Sequence, residues 1–550
     1  MFTKKIAAIL VGAFLVTACS SEQSAGPIDL SKYQSQRINW GSCPKDYFES
    51  SAQLSPSFDK SRIQCGTLNV PALYVTGYSF PDFKIAMMRE SARSTSKLGT
   101  LFINPGGPGE SGVKELQWLN FPNEILDSYD IIGFDPRGVN FSRPATGHQI
   151  KCSTQADFET YWTTEGTPNS DAEYLANMKI LDGYYKQCSK ENPSWWTLNT
   201  NNVVDDLELM RSVITGTEPL NFLGSSYGTS IAAQYITKYP KHVGHITLDS
   251  PTTNEPTSDA SQITDAKATE ANIIRLASGY ASSHNMTLDE VKKLMLKVRQ
   301  EGDDDQLVGF AGMKVLDSAN QVHQSSEYMF THGIRTLTYY DNATAQKYFN
   351  QGLEQVSGPQ KWNGLFEYFA LQMDGYDPNT LGGSSYQPSK IKRDNSFEIM
   401  DIVDSMDIDY SNTSSKKHQQ ALGEKIRKVS PFWTALNSDS TNYVYKGDAK
   451  GLSWTSLAKS DDRIPDPPKV MPTRTNKSGK QVLIVGARYE STTPYAFAVK
   501  TASDLKSPLV TFNGTGHAPL AGFDHECLNK LFVNYYIHDK LPSGPVMCTK

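Results

Sequence analysis

One stretch decides how the fold of this 550-residue chain is interpreted: Asn221-Phe222-Leu223-Gly224-Ser225-Ser226-Tyr227-Gly228-Thr229. It places the pattern G-x-S-x-G directly after a predicted strand and before a helix-like run, 230–239. Glycines on both sides of such a turn let the two backbones approach, and the turn lifts the central serine above the sheet. Ser226 stands between Gly224 and Gly228 at the required offsets, whereas Ser225 does not. The sequence therefore predicts Ser226 as a nucleophile.

Two later loops supply partners for this serine. A serine hydroxyl is a weak nucleophile unless a base accepts its proton, and in hydrolases with this turn the acid and the histidine follow in the order Ser, Asp/Glu, His. Glu490 and His517 each come directly after a late predicted strand. Asp249, at the end of the strand that follows the nucleophile helix, is the alternative acid. We therefore predict a triad of Ser226, His517 and Glu490.

A glycine-rich loop is expected to complete the site. The tetrahedral oxyanion needs two fixed N–H donors, and one would be the backbone of Tyr227, next to the nucleophile. The other would come from the loop Asn104-Pro105-Gly106-Gly107-Pro108-Gly109, which follows an apolar predicted strand. Gly107 is the first choice for this donor, and Gly106 stays an alternative.

The pattern along the chain predicts an α/β fold, with a mostly parallel sheet, flanking helices and a large, mainly helical cap. β-rich runs alternate with helical stretches up to residue 251, polar helical segments fill 252–470, and the strands then resume. The sequence thus predicts a first core part at 36–251, a cap at 252–470 between the sixth and seventh core strands, and a second core part at 471–550. The predicted strands cover 67–75, 84–89, 100–104, 130–134, 221–224, 245–249, 481–485 and 509–512.

The first residues have the pattern of an export signal. Two lysines precede an apolar run that is too short to span a bilayer, and small residues lead to Cys19. This segment resembles the lipobox of bacterial lipoproteins, in which the cysteine is acylated by fatty acids such as palmitate. We therefore predict a signal peptide at 1–18, lipidation of Cys19, a tether at 19–35, and a catalytic body held outside the cytoplasm at a cell-envelope membrane.

The composition limits the classes of partner that the protein is expected to bind. Lysine and arginine number 53 against 59 aspartates and glutamates, so nothing favours nucleic acid as a partner. Six cysteines follow Cys19, and their proximity suggests three disulfides, as expected in an exported chain. No metal-binding spacing is present, and neither a metal nor a cofactor is predicted, while the oligomeric state stays open. The suggested pairs are Cys43 with Cys65, Cys152 with Cys188, and Cys527 with Cys548.

Several ordered motifs together resemble one family, the exported tripeptidyl-aminopeptidase-like serine peptidases of the α/β-hydrolase superfamily, which are related to prolyl iminopeptidase. The resemblance implies release of short peptides or single residues from free N-termini, with Ser226, His517 and an acid as the triad. Members of the family usually have aspartate where Glu490 stands. The matching motifs are NPGGPGESG at 104–112, DPRGVNFS at 135–142, GSSYGT at 224–229, Thr493-Pro494, Gly516-His517 and the cysteine-bounded terminus at 527–548.

The motifs indicate the type of reaction more clearly than the preferred substrate. An aminopeptidase needs an anion near the substrate ammonium group, because a desolvated charge must be paired, and Glu110 and Glu327 are the candidates. A carboxylesterase or lipase could use the same triad, since the cap decides the substrate. A non-catalytic lipoprotein on a hydrolase scaffold is a third possibility, but it would be expected to have lost a triad residue.

Overall fold

The computed structural model describes residues 26–49, 54–152, 171–253, 259–304, 306–309, 327–373, 394–407, 416–437 and 475–549. Within these ranges a ten-stranded sheet forms the body of the protein, in the spatial order β1-β2-β4-β3-β6-β7-β8-β9-β10, with β5 paired to β2. Seven neighbouring strands, from β4 to β10 in this order, run parallel, and β2 is antiparallel to both β1 and β4. The strands are β1 (Ile63–Val70), β2 (Phe83–Glu90), β3 (Gly99–Asn104), β4 (Tyr129–Phe134), β5 (Arg143–Pro144), β6 (Leu220–Ser225), β7 (Val243–Asp249), β8 (Leu483–Ala487), β9 (Leu509–Phe512) and β10 (Val546–Cys548).

The central strands are buried on both faces because helices cover both. Every residue of β3 and β4 is buried, as continuous apolar strands of a parallel sheet require. Phe102 of β3 packs into one core, whereas Leu101 and Ile103 pack into the other, because side chains alternate between the faces of a strand. α5 (Thr200–Thr215) and α6 (Gly228–Lys238) cover the first face, and α2 (Gly112–Glu115), α3 (Asn123–Ser128) and α16 (Glu526–His538) cover the second.

The helices fall into core and insertion groups. The helices that flank the sheet or its edges are α1 (Ser31–Gln34), α2 (Gly112–Glu115), α3 (Asn123–Ser128), α4 (Asp171–Glu191), α5 (Thr200–Thr215), α6 (Gly228–Lys238), α15 (Tyr495–Asp504) and α16 (Glu526–His538). The helices between β7 and β8 are α7 (Asp259–Ser283), α8 (Leu288–Asp303), α9 (Glu327–Leu337), α10 (Asn342–Ser357), α11 (Gly364–Met373), α12 (Ser396–Asp407), α13 (Lys416–Val429) and α14 (Pro431–Asn437).

The insertion between β7 and β8 packs in two separate parts. Helices α7 to α11 and α14 enclose an apolar core of their own, which includes Phe330, Phe349 and Phe366. In contrast, α12 packs Phe397 and Ile402 into the core on one face of the sheet. The predicted cap segment therefore contains a separate helical cluster and one helix that belongs to the wall of the sheet domain.

The fold class is confirmed, with two local corrections. β1 begins at Ile63 and ends at Val70, earlier than the predicted 67–75, because Pro71 has no N–H to continue the ladder. Residues 26–35 are not a free tether, since Tyr33 is buried in the core and the Thr76 N–H donates to the Gly26 carbonyl. The short strands β5 and β10 were not predicted.

The signal peptide and Cys19 lie outside the described residues, so their prediction stands on the sequence alone. In the part of the chain that the structure describes, no helix combines the length and apolar character needed to cross a bilayer. Three disulfides are formed, between Cys43 and Cys65, between Cys152 and Cys188, and between Cys527 and Cys548.

Candidate active site

The candidate site lies where the strand order reverses. β4 and β6 both pair with β3, so the connections that leave the carboxyl ends of β3 and β6 diverge and open a crevice. The glycine-rich loop follows Asn104 at the end of β3, and Ser226 follows Ser225 at the end of β6. The sheet topology therefore brings two of the predicted catalytic segments to one edge.

Ser226 occupies a strained turn between β6 and α6. Its φ is +52°, a region that residues other than glycine rarely adopt, and its N–H donates to the Asp249 carbonyl at 3.0 Å. A Cβ on Gly224 would lie 2.4 Å from the Gly228 carbonyl oxygen, so the strand and the helix approach too closely for any side chain there. Ser226 is partly exposed, whereas the preceding Ser225 is buried. The turn thus presents the Ser226 side chain at the crevice.

Glu490 and His517 are in direct contact. The Glu490 carboxylate, wholly buried, lies in a very short contact with Nδ1 of His517, whose side chain is 13% exposed. Nδ1–H donating to the carboxylate leaves Nε2 as the ring nitrogen that can accept a proton. The longer arm of glutamate therefore reaches the position on the imidazole that orients its tautomer.

Neighbouring hydroxyls hold the Glu490 carboxylate in place. Oε1 accepts from the Thr493 N–H at 3.1 Å and from the Thr493 hydroxyl at 2.6 Å, and Oε2 accepts from the Ser250 hydroxyl at 2.7 Å. The same Ser250 oxygen accepts from the Ala518 N–H at 2.9 Å, next to His517 in the chain. Ser250 thus joins the acid to the histidine loop. The sequence analysis missed this role; the only signal was the position of Ser250 directly after a strand.

Asp249, the alternative acid, has a different environment. Its side chain is fully buried, and Oδ2 accepts from the N–H groups of Leu520 and Ala521 at 3.0 and 3.1 Å. Within the described residues Oδ1 has no hydrogen-bond partner. Burial, reinforced by the nearby Glu490 carboxylate, raises the pKa of Asp249 well above its ordinary value. Asp249 therefore supports the chain downstream of His517, and the contact with the imidazole belongs to Glu490.

The glycine-rich loop packs directly against the serine turn. A Cβ on Gly106 would lie 2.8 Å from the Tyr227 nitrogen and 2.9 Å from the Ser226 Cβ. The Gly106 N–H donates to the Asn104 side chain at 3.1 Å, and Gly107 follows with a φ of +99°. Tyr227 directly follows Ser226 and precedes α6, so its backbone N–H lies at the amino end of that helix. The structure therefore brings the two predicted donor segments, at Tyr227 and Gly107, to one place.

The two predicted ammonium-binding residues lie in different places. Glu110 is exposed on the same loop, and its N–H donates to the Gly106 carbonyl at 3.3 Å. Displacement of water by the surrounding protein, with Asp394 as a like charge, raises the pKa of Glu110 to about 7. Glu327 is buried at the first residue of α9 and packs beside Gly302. It lies about 15 Å from the end of α9 that approaches His517, given a rise of 1.5 Å per residue.

The DPRG motif stabilises the loops next to the candidate site. Asp135 is fully buried and accepts from the Ser111 hydroxyl at 2.6 Å and from the Val113 and Phe141 N–H groups at 3.1 Å. Arg137 is buried and forms two hydrogen bonds with Asp206, at 2.8 and 2.6 Å. These contacts connect the loops after β3 and β4 with α5, so the role of this motif is structural. Within the described ranges, no group of three or more acidic, histidine or cysteine side chains is placed to hold a metal ion.

Two family models match the chain. The first, described as the alpha/beta hydrolase fold, covers residues 99–310 and includes the serine turn. The second, described as TAP-like protein, covers residues 453–548 and includes the loops of Glu490 and His517. The match agrees with the observed strand order and helix layers.

The sequence is also similar to characterised bacterial proteins. It is 25% identical to the tripeptidyl aminopeptidase of Streptomyces lividans, over 93% of this chain and 86% of that protein. It is 24% identical to the serine protease Hip1 of Mycobacterium tuberculosis, over 88% and 87%, and 23% identical to the carboxylesterase B of the same species, over 97% and 94%. The match to a solved serine hydrolase from Cycloclasticus zankles covers 86% of this chain and 98% of that hydrolase, with 10% identity and a TM-score of 0.31.

Proposed function

Because the chain is a serine hydrolase that belongs to the tripeptidyl-aminopeptidase-like family of the α/β-hydrolase superfamily, we propose that it is an aminopeptidase, which releases short peptides, tripeptides among them, or single residues from free N-termini. The observation that carries this proposal is the contact between Glu490 and Nδ1 of His517, on loops that belong to the same edge of the sheet as Ser226. No cofactor enters the proposed reaction.

In the proposed mechanism Ser226 attacks the substrate carbonyl while Nε2 of His517 accepts its proton. His517 then donates this proton to the departing amine. Water next attacks the acyl-enzyme, and His517 accepts the proton of the water and returns it to the oxygen of Ser226. Glu490 holds the imidazole in one tautomer and stabilises the imidazolium that forms. The backbone N–H groups of Tyr227 and Gly107 stabilise the oxyanion as charge develops.

Recognition of the free amino terminus is assigned to Glu110. Its side chain is exposed on the loop that packs against Ser226, so a carboxylate there meets a substrate already held at the nucleophile. An ionised Glu110 would pair the substrate ammonium group and reduce the cost of removing it from water. The buried position of Glu327 makes it the weaker of the two candidates.

We further propose that the protein is an exported lipoprotein anchored through Cys19, with its catalytic body outside the cytoplasm. The sequence at Cys19 resembles a lipobox, and three disulfides are typical of proteins that mature in an oxidising compartment. The remaining segment before Gly26 is long enough to separate the body from a bilayer.

The first test compares the soluble body, truncated after Cys19, on matched fluorogenic tripeptides with free and acetylated N-termini, with an aryl ester alongside. We expect cleavage of the free-amine peptide and not of the acetylated one, some hydrolysis of the activated aryl ester by the same serine, and a loss of about four or more orders of magnitude in kcat for Ser226→Ala. Ester hydrolysis without peptide cleavage would instead identify a carboxylesterase. A Ser226→Ala protein that keeps most of its activity would reject the nucleophile.

A further inference from the structure

The insertion between β7 and β8 reaches the candidate catalytic base directly. Thr338 and Tyr339, here called the cap strap, follow the last residue of α9 and lie beside the loops of both Glu490 and His517. These two residues are more than 140 positions away from either loop in the sequence. The contact therefore arises only through folding of the insertion over the sheet edge.

Tyr339 contacts His517 in two ways. Its carbonyl accepts the His517 N–H at 3.0 Å, and its ring meets the imidazole edge to face, with centroids 5.1 Å apart and planes at 69°. The strap backbone also packs against Gly516, where the Tyr339 carbonyl oxygen would lie 3.7 Å from an added Cβ. Both the main chain and the side chain of the proposed base are thus in contact with one residue of the insertion.

The cap strap is also joined to the acid loop. The Ser491 hydroxyl donates to the Thr338 hydroxyl oxygen at 2.7 Å, and the Tyr339 phenol lies beside Thr492. Both partners directly follow Glu490 in the chain. The strap therefore bridges the two loops that carry the imidazole and its carboxylate.

The strap has a rigid support. The Thr338 hydroxyl donates to the Arg335 carbonyl at 2.7 Å, and the Tyr339 N–H donates to the Thr336 carbonyl at 3.0 Å. Ile334 and Leu337, on the same helix, are fully buried in the core of the insertion. The position of the Tyr339 ring is consequently set by the packing of the insertion and not by a free loop.

We propose that Tyr339 is a positioning residue for His517. The insertion would then orient the catalytic base in addition to covering the substrate. The contact between Nδ1 and Glu490 leaves the imidazole able to turn about that contact, and the Tyr339 ring restricts this rotation. A displacement of the reacting atom by about 1 Å can cost about a hundredfold in rate. This inference rests on the role proposed above for His517.

The test separates positioning of the base from a contribution to substrate binding. An aryl acetate is too small to extend far into the insertion, and a fluorophosphonate reports the reactivity of the nucleophilic serine without a peptide. We expect Tyr339→Ala to lower kcat for the acetate and for a free-amine tripeptide by the same factor, roughly ten- to a hundredfold, and to slow fluorophosphonate labelling equally. Tyr339→Phe, which keeps the ring, should retain most of the rate.

Tyr348→Ala is the matched control. Tyr348 packs against Phe369 inside the insertion at 5.1 Å, so its removal perturbs the insertion without removing the strap contacts. It should lower the melting temperature and leave the acetate kcat at the wild-type value. If Tyr339→Ala shows no cooperative unfolding transition, Tyr339→Leu, which fills much of the same volume without an aromatic ring, takes its place.

A Tyr339→Ala or Tyr339→Leu protein with wild-type kcat on the acetate, and only a raised KM for the tripeptide, would show that Tyr339 is a pocket wall and overturn the inference. Failure of the proposed function has a different signature. A wild-type protein that hydrolyses the acetate but not the tripeptide would reject the peptidase, while the acetate and labelling rates would still decide the role of Tyr339.

Discussion

Two buried carboxyl groups lie close together behind the candidate histidine, and their surroundings separate their roles. Besides the imidazole contact, Oε1 of Glu490 accepts from the Thr493 hydroxyl and N–H, and Oε2 accepts from the Ser250 hydroxyl. Asp249 receives two N–H donors on one oxygen only and stands next to the Glu490 charge. Because an unpaired buried charge is costly, the pKa of Asp249 is raised well above its ordinary value, whereas Glu490 is the carboxylate that contacts the imidazole.

This difference predicts opposite results for two isosteric substitutions. Glu490→Gln should lower kcat by about four orders of magnitude, because an amide cannot stabilise the imidazolium or select the tautomer. Asp249→Asn should keep most of the activity, since an amide oxygen still accepts from Leu520 and Ala521. Steady-state kinetics on the same peptide, with circular dichroism to establish folding, would measure both. A larger loss at Asp249 would move the acid to that residue.

The ionisation of Glu110 predicts a pH dependence of substrate binding. The raised pKa, about 7, means that Glu110 is protonated below pH 7 and ionised above it. KM for a free-amine peptide should therefore fall as the pH rises from 6 to 7.5, and Glu110→Gln should raise KM and remove this dependence. Glu124→Gln, at an exposed residue of α3, is the control. An unchanged KM profile for Glu110→Gln would place the ammonium site elsewhere.

At the scale of elements, α12 acts as a fixed wall of the candidate site. Ser396, its first residue, lies against Gly109 of the glycine-rich loop, where a Cβ would be 2.2 Å from the Ser396 carbonyl oxygen. At its other end Asp407 accepts the Thr200 N–H at 3.0 Å, and the Thr200 hydroxyl contacts the phenol of Tyr227. The helix therefore connects the glycine-rich loop, through Thr200, with Tyr227, the residue that follows Ser226.

The close approach at Gly109 is testable with a matched glycine. Gly109 and Gly147 both have positive φ, +105° and +85°, but a Cβ at Gly147 would meet nothing within 4 Å. Alanine at either residue should cost about 1–2 kcal/mol of backbone strain. Only Gly109→Ala should add the displacement of α12, about 1–3 kcal/mol more, and reduce kcat. Urea unfolding and ester kinetics measure the two effects, and equal behaviour of both variants would contradict the contact.

At the scale of the whole molecule, a disulfide joins each edge strand of the sheet to a neighbouring segment. Cys65 lies in β1 and Cys548 in β10, the first and last strands of the spatial order, and each is joined to a neighbouring segment through Cys43 or Cys527. Exposed edge strands can pair with other chains, and cross-linking them to adjacent segments holds them in the native arrangement. Such bonds persist in an oxidising environment, which supports the proposal of export.

The proposed anchor predicts where the protein is found. Cys19→Ser should abolish lipidation, so the protein should leave the membrane fraction or accumulate as an uncleaved precursor, while the folded body keeps its hydrolytic activity. Fractionation of bacterial cells, with metabolic labelling by a palmitate analogue, measures both properties. Equal labelling and membrane association of the Cys19→Ser protein would reject the lipobox prediction.

The amino-acid sequence was sufficient for the fold class and for the loops on which Ser226, Glu490 and His517 lie. Each depends on a short contiguous pattern, an apolar strand followed by a turn, whose local geometry is largely independent of the remaining chain. The mostly parallel sheet and the helices that cover it follow from the same alternation of strands and helices.

Only the tertiary structure decided how these loops are supported. The hydroxyl of Ser250 on Glu490, the ring of Tyr339 on His517 and the wall formed by α12 all join residues more than 140 positions apart in the sequence. Apart from the position of Ser250 directly after a strand, nothing in their local sequence distinguishes them from ordinary surface or core residues. The contacts of Tyr339 and α12 depend on how the insertion packs over the sheet edge, and the contact of Ser250 depends on the pairing of β7 with β8. Such packing is a property of the assembled core that no short segment determines on its own.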